Sequence, residues 1–60
     1  MNRVVKILME RDLMDRHMAE NRLKEVRQMI METDLQSYGE VEYIIAHELG
    51  LEMDYLLDII

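Results

Sequence analysis

His47 and Glu48 come closest in this chain to a catalytic pair. On a helix, the pattern H-E-x-x-H sets two imidazoles one turn apart, so that both bind one zinc while the glutamate activates water for hydrolysis. Here the place of the second imidazole is taken by Leu51, and the other histidine, His17, stands 30 residues upstream. One imidazole and scattered carboxylates leave the coordination shell of a catalytic zinc incomplete, so neither a metal nor another cofactor is expected. The same letters read better as a helix end, with Leu49 closing the helix, Gly50 stopping it and Leu51 folding back. Nucleophilic chemistry has little to draw on: there is no cysteine, and the hydroxyls are those of Ser37, Thr33, Tyr38, Tyr43 and Tyr55. A non-enzyme is expected.

The charge pattern directs the reading toward binding. All seven basic residues lie between Arg3 and Arg27, where residues 1–31 carry five acids; residues 32–60 carry eight acids and no Lys or Arg. Such a block asymmetry points to head-to-tail complementarity, within a chain or between chains, or to a charged partner. The basic half would suit a helix-turn-helix DNA reader, but its interleaved acids and the net charge of −6 dilute a phosphate-binding footprint, so nucleic acid is an unlikely partner. The acidic half offers a candidate partner face made of Glu40, Glu42, Glu48, Glu52, Asp54 and Asp58, which could meet a basic protein surface or act as a nucleic-acid decoy.

Helices must position these groups. Proline is absent and the only glycines are Gly39 and Gly50, so side-chain periodicity and capping alone punctuate the chain. The pattern predicts an all-α bundle of three to four helices, in one domain over residues 1–60, with helices at about 2–12, 16–32, 38–49 and 53–60. Val4, Val5, Ile7 and Leu8 give the first helix its apolar side. Asp15 is the expected N-cap of the second, whose stripe is Ala19, Leu23, Val26 and Ile30, with Glu20 and Lys24 as an i, i+4 pair. After a break at 33–36, Ser37 and Glu40 have capping-box spacing before a helix burying Val41, Ile44, Ile45 and Leu49.

A chain of 60 residues buries only about 60% of the surface its unfolded form exposes, and without cysteine it has no disulfide to reinforce it. Homodimerisation is the expected supplement. The apolar tail Tyr55, Leu56, Leu57, Ile59 and Ile60 is the candidate interface, docking on the stripes of the second and third helices within one chain or across a dimer. The methionines are expected mainly to fill gaps in the core. No apolar run exceeds four residues, so a membrane role is not expected and a cytoplasmic setting is.

The stretch Met9-Glu10-Arg11-Asp12 followed by Met14, and Glu48-Leu49-Gly50-Leu51-Glu52 followed by Asp54-Tyr55-Leu56, resemble the two ends of a group of short, acidic, all-helical proteins of phages and prophages of Gram-positive bacteria. Two positions depart from that pattern: Leu13 stands where a glycine is expected, and Met53 where a proline would open the last helix. The resemblance implies a small phage protein that binds a host protein and modulates or inhibits it, components of antiviral defence among the targets.

Overall fold

Asn2 opens the first helix. In the computed structural model, which describes residues 1–34 and 36–60, its side-chain oxygen accepts from the backbone N–H groups of Val4 at 2.7 Å and Val5 at 3.3 Å. Two of the N–H groups that a helix start leaves without partners are thereby satisfied. Helix α1 (Arg3–Arg11) follows, burying Val4, Val5 and Leu8. Asp15 caps α2 (Arg16–Met31), its carboxylate accepting from Met18 N–H at 2.8 Å, and the whole stripe Ala19, Leu23, Val26 and Ile30 is buried. Glu20 reaches back to Arg16 at 3.2 Å and not forward to Lys24 as the sequence suggested.

Between α1 and α2 the chain reverses at Leu13, which has φ +55°. Met14 N–H bonds back to Leu8 C=O at 3.3 Å, closing the end of α1 around it. A leucine in the left-handed region brings its Cβ close to the following carbonyl, at a cost of roughly 1–2 kcal/mol. The turn is therefore as sharp as a glycine would make it, despite the substituent. With 87% of the side chain exposed, burial returns nothing against that strain. Leu13→Gly is accordingly expected to raise the melting midpoint of the dilute protein. A net gain of about 1 kcal/mol corresponds to roughly 4–8 °C in a domain of this size, readable by circular dichroism.

The third helix begins differently from its capping-box expectation. Ser37 is the N-cap of α3 (Tyr38–Ile44), but its hydroxyl makes no capping bond; its backbone carbonyl accepts from Glu40 N–H at 3.1 Å and Val41 N–H at 3.2 Å. The reason lies upstream. Asp34 forms a side-chain turn, accepting from Gln36 N–H at 2.9 Å, and its carbonyl takes Ser37 N–H at 2.9 Å. This arrangement leaves Ser37 at ψ 79°, well short of the extended value seen at Asn2 and Asp15. Leu35, within the expected break at 33–36, lies outside the described residues.

α3 continues as one π-helical turn, Ile45–Leu49, and stops at Gly50 with φ +65°. Val41, Ile45 and Leu49 are all buried. At 3.6 residues per turn, steps of four drift by about 40° each. The wider i→i+5 turn takes up that drift, so Leu49 returns to the core side. A short 3₁₀ turn (Met53–Tyr55) then leads into α4 (Leu56–Ile59). Residues that the sequence joined as one terminal helix thus form two short pieces.

The four helices enclose a single core of Val4, Val5, Leu8, Ala19, Leu23, Val26, Ile30, Val41, Ile45, Leu49 and Ile59, with Leu56, Met9, Met14 and Met53 among the side chains packed around it. α4 lies chiefly against α1 and α2. Met1, Met18, Met29 and Met31 are exposed, so only part of the methionine set fills gaps. The Cα radius of gyration, 10.9 Å, is close to the roughly 10.4 Å of a compact 60-residue domain. Among the described residues no helix is long and apolar enough to cross a membrane.

Candidate protein-interaction site

Four of the seven basic side chains, Arg3, Arg11, Arg22 and Arg27, are bonded to the C-terminal half of the same chain. Their targets are mainly helix ends. Arg11 donates to Leu49 C=O at 2.6 Å and Gly50 C=O at 3.3 Å; Arg22 donates to Glu48 C=O at 3.1 Å and to the Glu48 carboxylate at 2.8 Å. Arg27 donates to Ile59 C=O at 2.6 Å. A helix leaves its last carbonyls without partners and carries partial negative charge there, so cations are stabilising at that end. Arg3 pairs with Asp58 at 2.6 Å while its guanidinium sits 4.8 Å from the Tyr55 ring centroid, and Asn2 donates to Asp58 C=O. Two of the eight acids in residues 32–60, Glu48 and Asp58, are thereby paired with bases of the N-terminal half.

This matching divides the acidic face. Glu48 and Asp58 are taken up by Arg22 and Arg3, whereas Glu40, Glu42, Glu52 and Asp54 remain exposed. Glu42, Glu52 and Asp54 come together with Tyr38, Tyr43 and Met53 around an open groove of about 620 Å³, between α3 and the 3₁₀ turn. Glu40 stands on the first turn of α3, outside the groove lining. Tyr43 stacks on His47 one turn further on, with ring centroids 5.2 Å apart and planes 12° from parallel, which stiffens one wall. Carboxylates and aromatic faces both attract cations, and a groove combining them suits Lys or Arg side chains.

His47 therefore serves as a stacking partner in this geometry. Its Nε2 lies 3.8 Å from the Glu48 carboxylate, and Leu51, where a second ligand would stand, packs against the core. Among the described residues no three His, Cys, Asp or Glu side chains converge as metal ligands. The apolar tail is likewise divided. Ile59 is fully buried and Tyr55 and Leu56 pack against the core, leaving Leu57 and Ile60 exposed at the C-terminal end.

Arg11 and Asp12 form a two-point pair, with bonds of 2.8 and 2.9 Å, beside the left-handed turn. The guanidinium bond holds the Asp12 carboxyl below its ordinary value of 3.8, and the same bond raises Arg11 further above the alkaline range. A lowered carboxylate favours the folded state at every pH above the unfolded value. That contribution is expected to fall away only as pH drops below 3.8 and through the folded value. NMR titration of the Asp12 carboxyl should place its midpoint under 3.8, and Arg11→Gln should return it toward 3.8.

Some of these features had a sequence signal and some had none. Asn2 before an apolar-periodic segment is a recognisable N-cap, whereas the joining of Arg11 and Arg22 to the end of α3 required the tertiary arrangement. No family model matches the chain, and no curated protein or solved structure is found to be similar to it. The groove and the arginine caps are thus interpreted from their own geometry.

Proposed function

We propose that this chain is a non-catalytic protein-interaction module, encoded by a phage or prophage and acting in the host cytoplasm, which associates as a homodimer and binds a basic segment of a host protein. The host protein is modulated or inhibited by that binding, and a component of antiviral defence is the class of target the resemblance implies. The observation that carries the reading is the groove in which Glu42, Glu52 and Asp54 stand with Tyr38 and Tyr43 and without a basic neighbour in the lining. Four of the five arginines that could have served a phosphate backbone are instead bonded to Leu49, Glu48, Ile59 and Asp58, which weighs against the DNA-binding alternative.

Fluorescence anisotropy of a labelled nona-arginine peptide tests the groove directly. Binding is expected to weaken by about tenfold in Glu42→Gln/Glu52→Gln, corresponding to about 1.4 kcal/mol. Glu25→Gln/Glu32→Gln, which removes the same charge from α2 and its C-cap, should leave it nearly unchanged. Equal losses in both variants would reduce the effect to net charge and remove the groove as a site. A labelled DNA duplex binding more tightly than the peptide would favour the regulator reading instead.

A further inference from the structure

We propose that the groove is a receptor for an arginine side chain of the partner, and that Gly39 is the residue that keeps it open. The inference rests on the groove reading above and names the side chain that the groove takes. Gly39 stands in the first turn of α3, followed at three and four positions by Glu42 and Tyr43, and all three line the groove. Residues at these spacings are neighbours on one helix face, so a side chain at position 39 would project beside Glu42 and Tyr43. A methyl group placed there would meet no atom within 4 Å. Packing therefore does not require a glycine, and the backbone has no positive φ at this position to accommodate. In a helix, glycine is nevertheless less stable than alanine. The fold gains nothing from this residue, whereas the groove gains space in its wall.

The molecule itself shows how such a side chain is held. The Arg3 guanidinium sits 4.8 Å from the Tyr55 ring centroid, while its Nε and Nη2 donate to one Asp58 oxygen at 3.0 and 2.6 Å. A planar cation can stack on a phenol ring and donate sideways to a carboxylate, whereas an ammonium has neither the flat face nor the fork of donors. The groove supplies the same two components. Tyr38 and Tyr43 are 59% and 63% exposed, and among the described residues neither Glu42 nor Glu52 has an ion-pair partner. Asp54 is partly engaged, since its charge also acts on Arg3. The stack on His47 fixes the Tyr43 ring, so less freedom is lost when a guanidinium settles against it.

Fluorescence anisotropy with labelled nona-arginine and nona-lysine would compare the native chain with Gly39→Ala and Gly39→Leu, alongside thermal melts. Neither substitution alters charge, so a loss of affinity cannot be assigned to electrostatics at large. Gly39→Ala should raise the melting midpoint by about 2–8 °C, because a compatible residue replaces glycine in a helix. Nona-arginine binding should weaken by roughly threefold in Gly39→Ala and by roughly tenfold or more in Gly39→Leu. A glycine needed only by the fold would give the opposite pattern, with stability lost on replacement. Nona-lysine should bind the native chain about tenfold more weakly than nona-arginine, and that preference should shrink in Gly39→Leu. If the leucine lowers the melting midpoint, Gly39→Ala carries the test, since its methyl group meets nothing. Unchanged nona-arginine affinity in both variants overturns the role of Gly39. Equal affinity of the native chain for the two peptides, each weakened by Glu42→Gln/Glu52→Gln, overturns arginine selection while leaving the groove as a site for cations. A native chain that binds neither peptide overturns both.

Discussion

Deleting residues 55–60 is expected to abolish cooperative unfolding, leaving a chain with low helicity and a broad, non-sigmoidal melt. The segment carries Ile59, which is fully buried, and Tyr55 and Leu56, which pack against the core. It also holds the carbonyls that receive Arg27 and Asn2 and the carboxylate that receives Arg3. Ile59→Ala alone should cost about 2–5 kcal/mol, the usual range for hollowing a core at an aliphatic site. A 60-residue domain has only about 3–9 kcal/mol of stability in all. The full deletion removes this anchor and uncovers the sides of α1 and α2 that α4 covers. Retention of native helicity and melting behaviour by the truncated chain would show that the segment is an appendage. The point substitution separates packing from simple shortening: Ile59→Ala should lower the urea midpoint steeply, whereas Leu57→Ala, at an 86% exposed side chain, should barely move it.

Removing the arginine caps is the second large effect. Arg22 bonds both the carbonyl and the carboxylate of Glu48, with side chains only 30% and 23% exposed. Arg11 holds the next two carbonyls, those of Leu49 and Gly50. Hydrogen bonds involving a charged group contribute about 1.5–3 kcal/mol when sheltered. Partial exposure reduces that to about 1–2 kcal/mol for each arginine. The double substitution Arg11→Ala/Arg22→Ala is therefore expected to cost about 2–4 kcal/mol, measured by urea unfolding, with some non-additivity because both act on one helix end. Arg16→Ala, which loses an exposed i, i+4 contact to Glu20, should cost no more than about 0.5 kcal/mol. A ranking with Arg16 equal to the other two would mean that the block asymmetry is a surface property and that the caps contribute little. The functional reading depends on the same contrast: arginines committed to helix ends are withdrawn from any phosphate-binding face.

Local physics made much of the fold legible. Absence of proline, the stripe Ala19, Leu23, Val26 and Ile30, the Asp15 cap and the stop at Gly50 depend on neighbours within a turn or so, and each has its counterpart in the structure. The failures are also local patterns, overridden by a competing bond or by packing. The Asp34 turn displaced the Ser37 capping box, and the π-helical turn kept Leu49 inside where a plain helix would have drifted. The division of the terminal segment into a 3₁₀ turn and α4 has no signal in its uniform apolar content.

The sequence by itself determined that the protein is helical and that its charge is split, because periodicity and composition are properties of the chain alone. It could not determine which charges remain outward. That depended on the fold bringing Arg22 to Glu48 across 26 positions and Arg3 to Asp58 across 55, which leaves Glu42, Glu52 and Asp54 around the groove. An ion pair forms only where two side chains are brought within a few ångströms, and for residues so far apart in sequence that distance is set by helix packing. The strain at Leu13 was decided the same way. A leucine can enter the left-handed region only where the surrounding structure holds it, here with Leu8 C=O bonded to Met14 N–H and α2 capped by Asp15 immediately beyond.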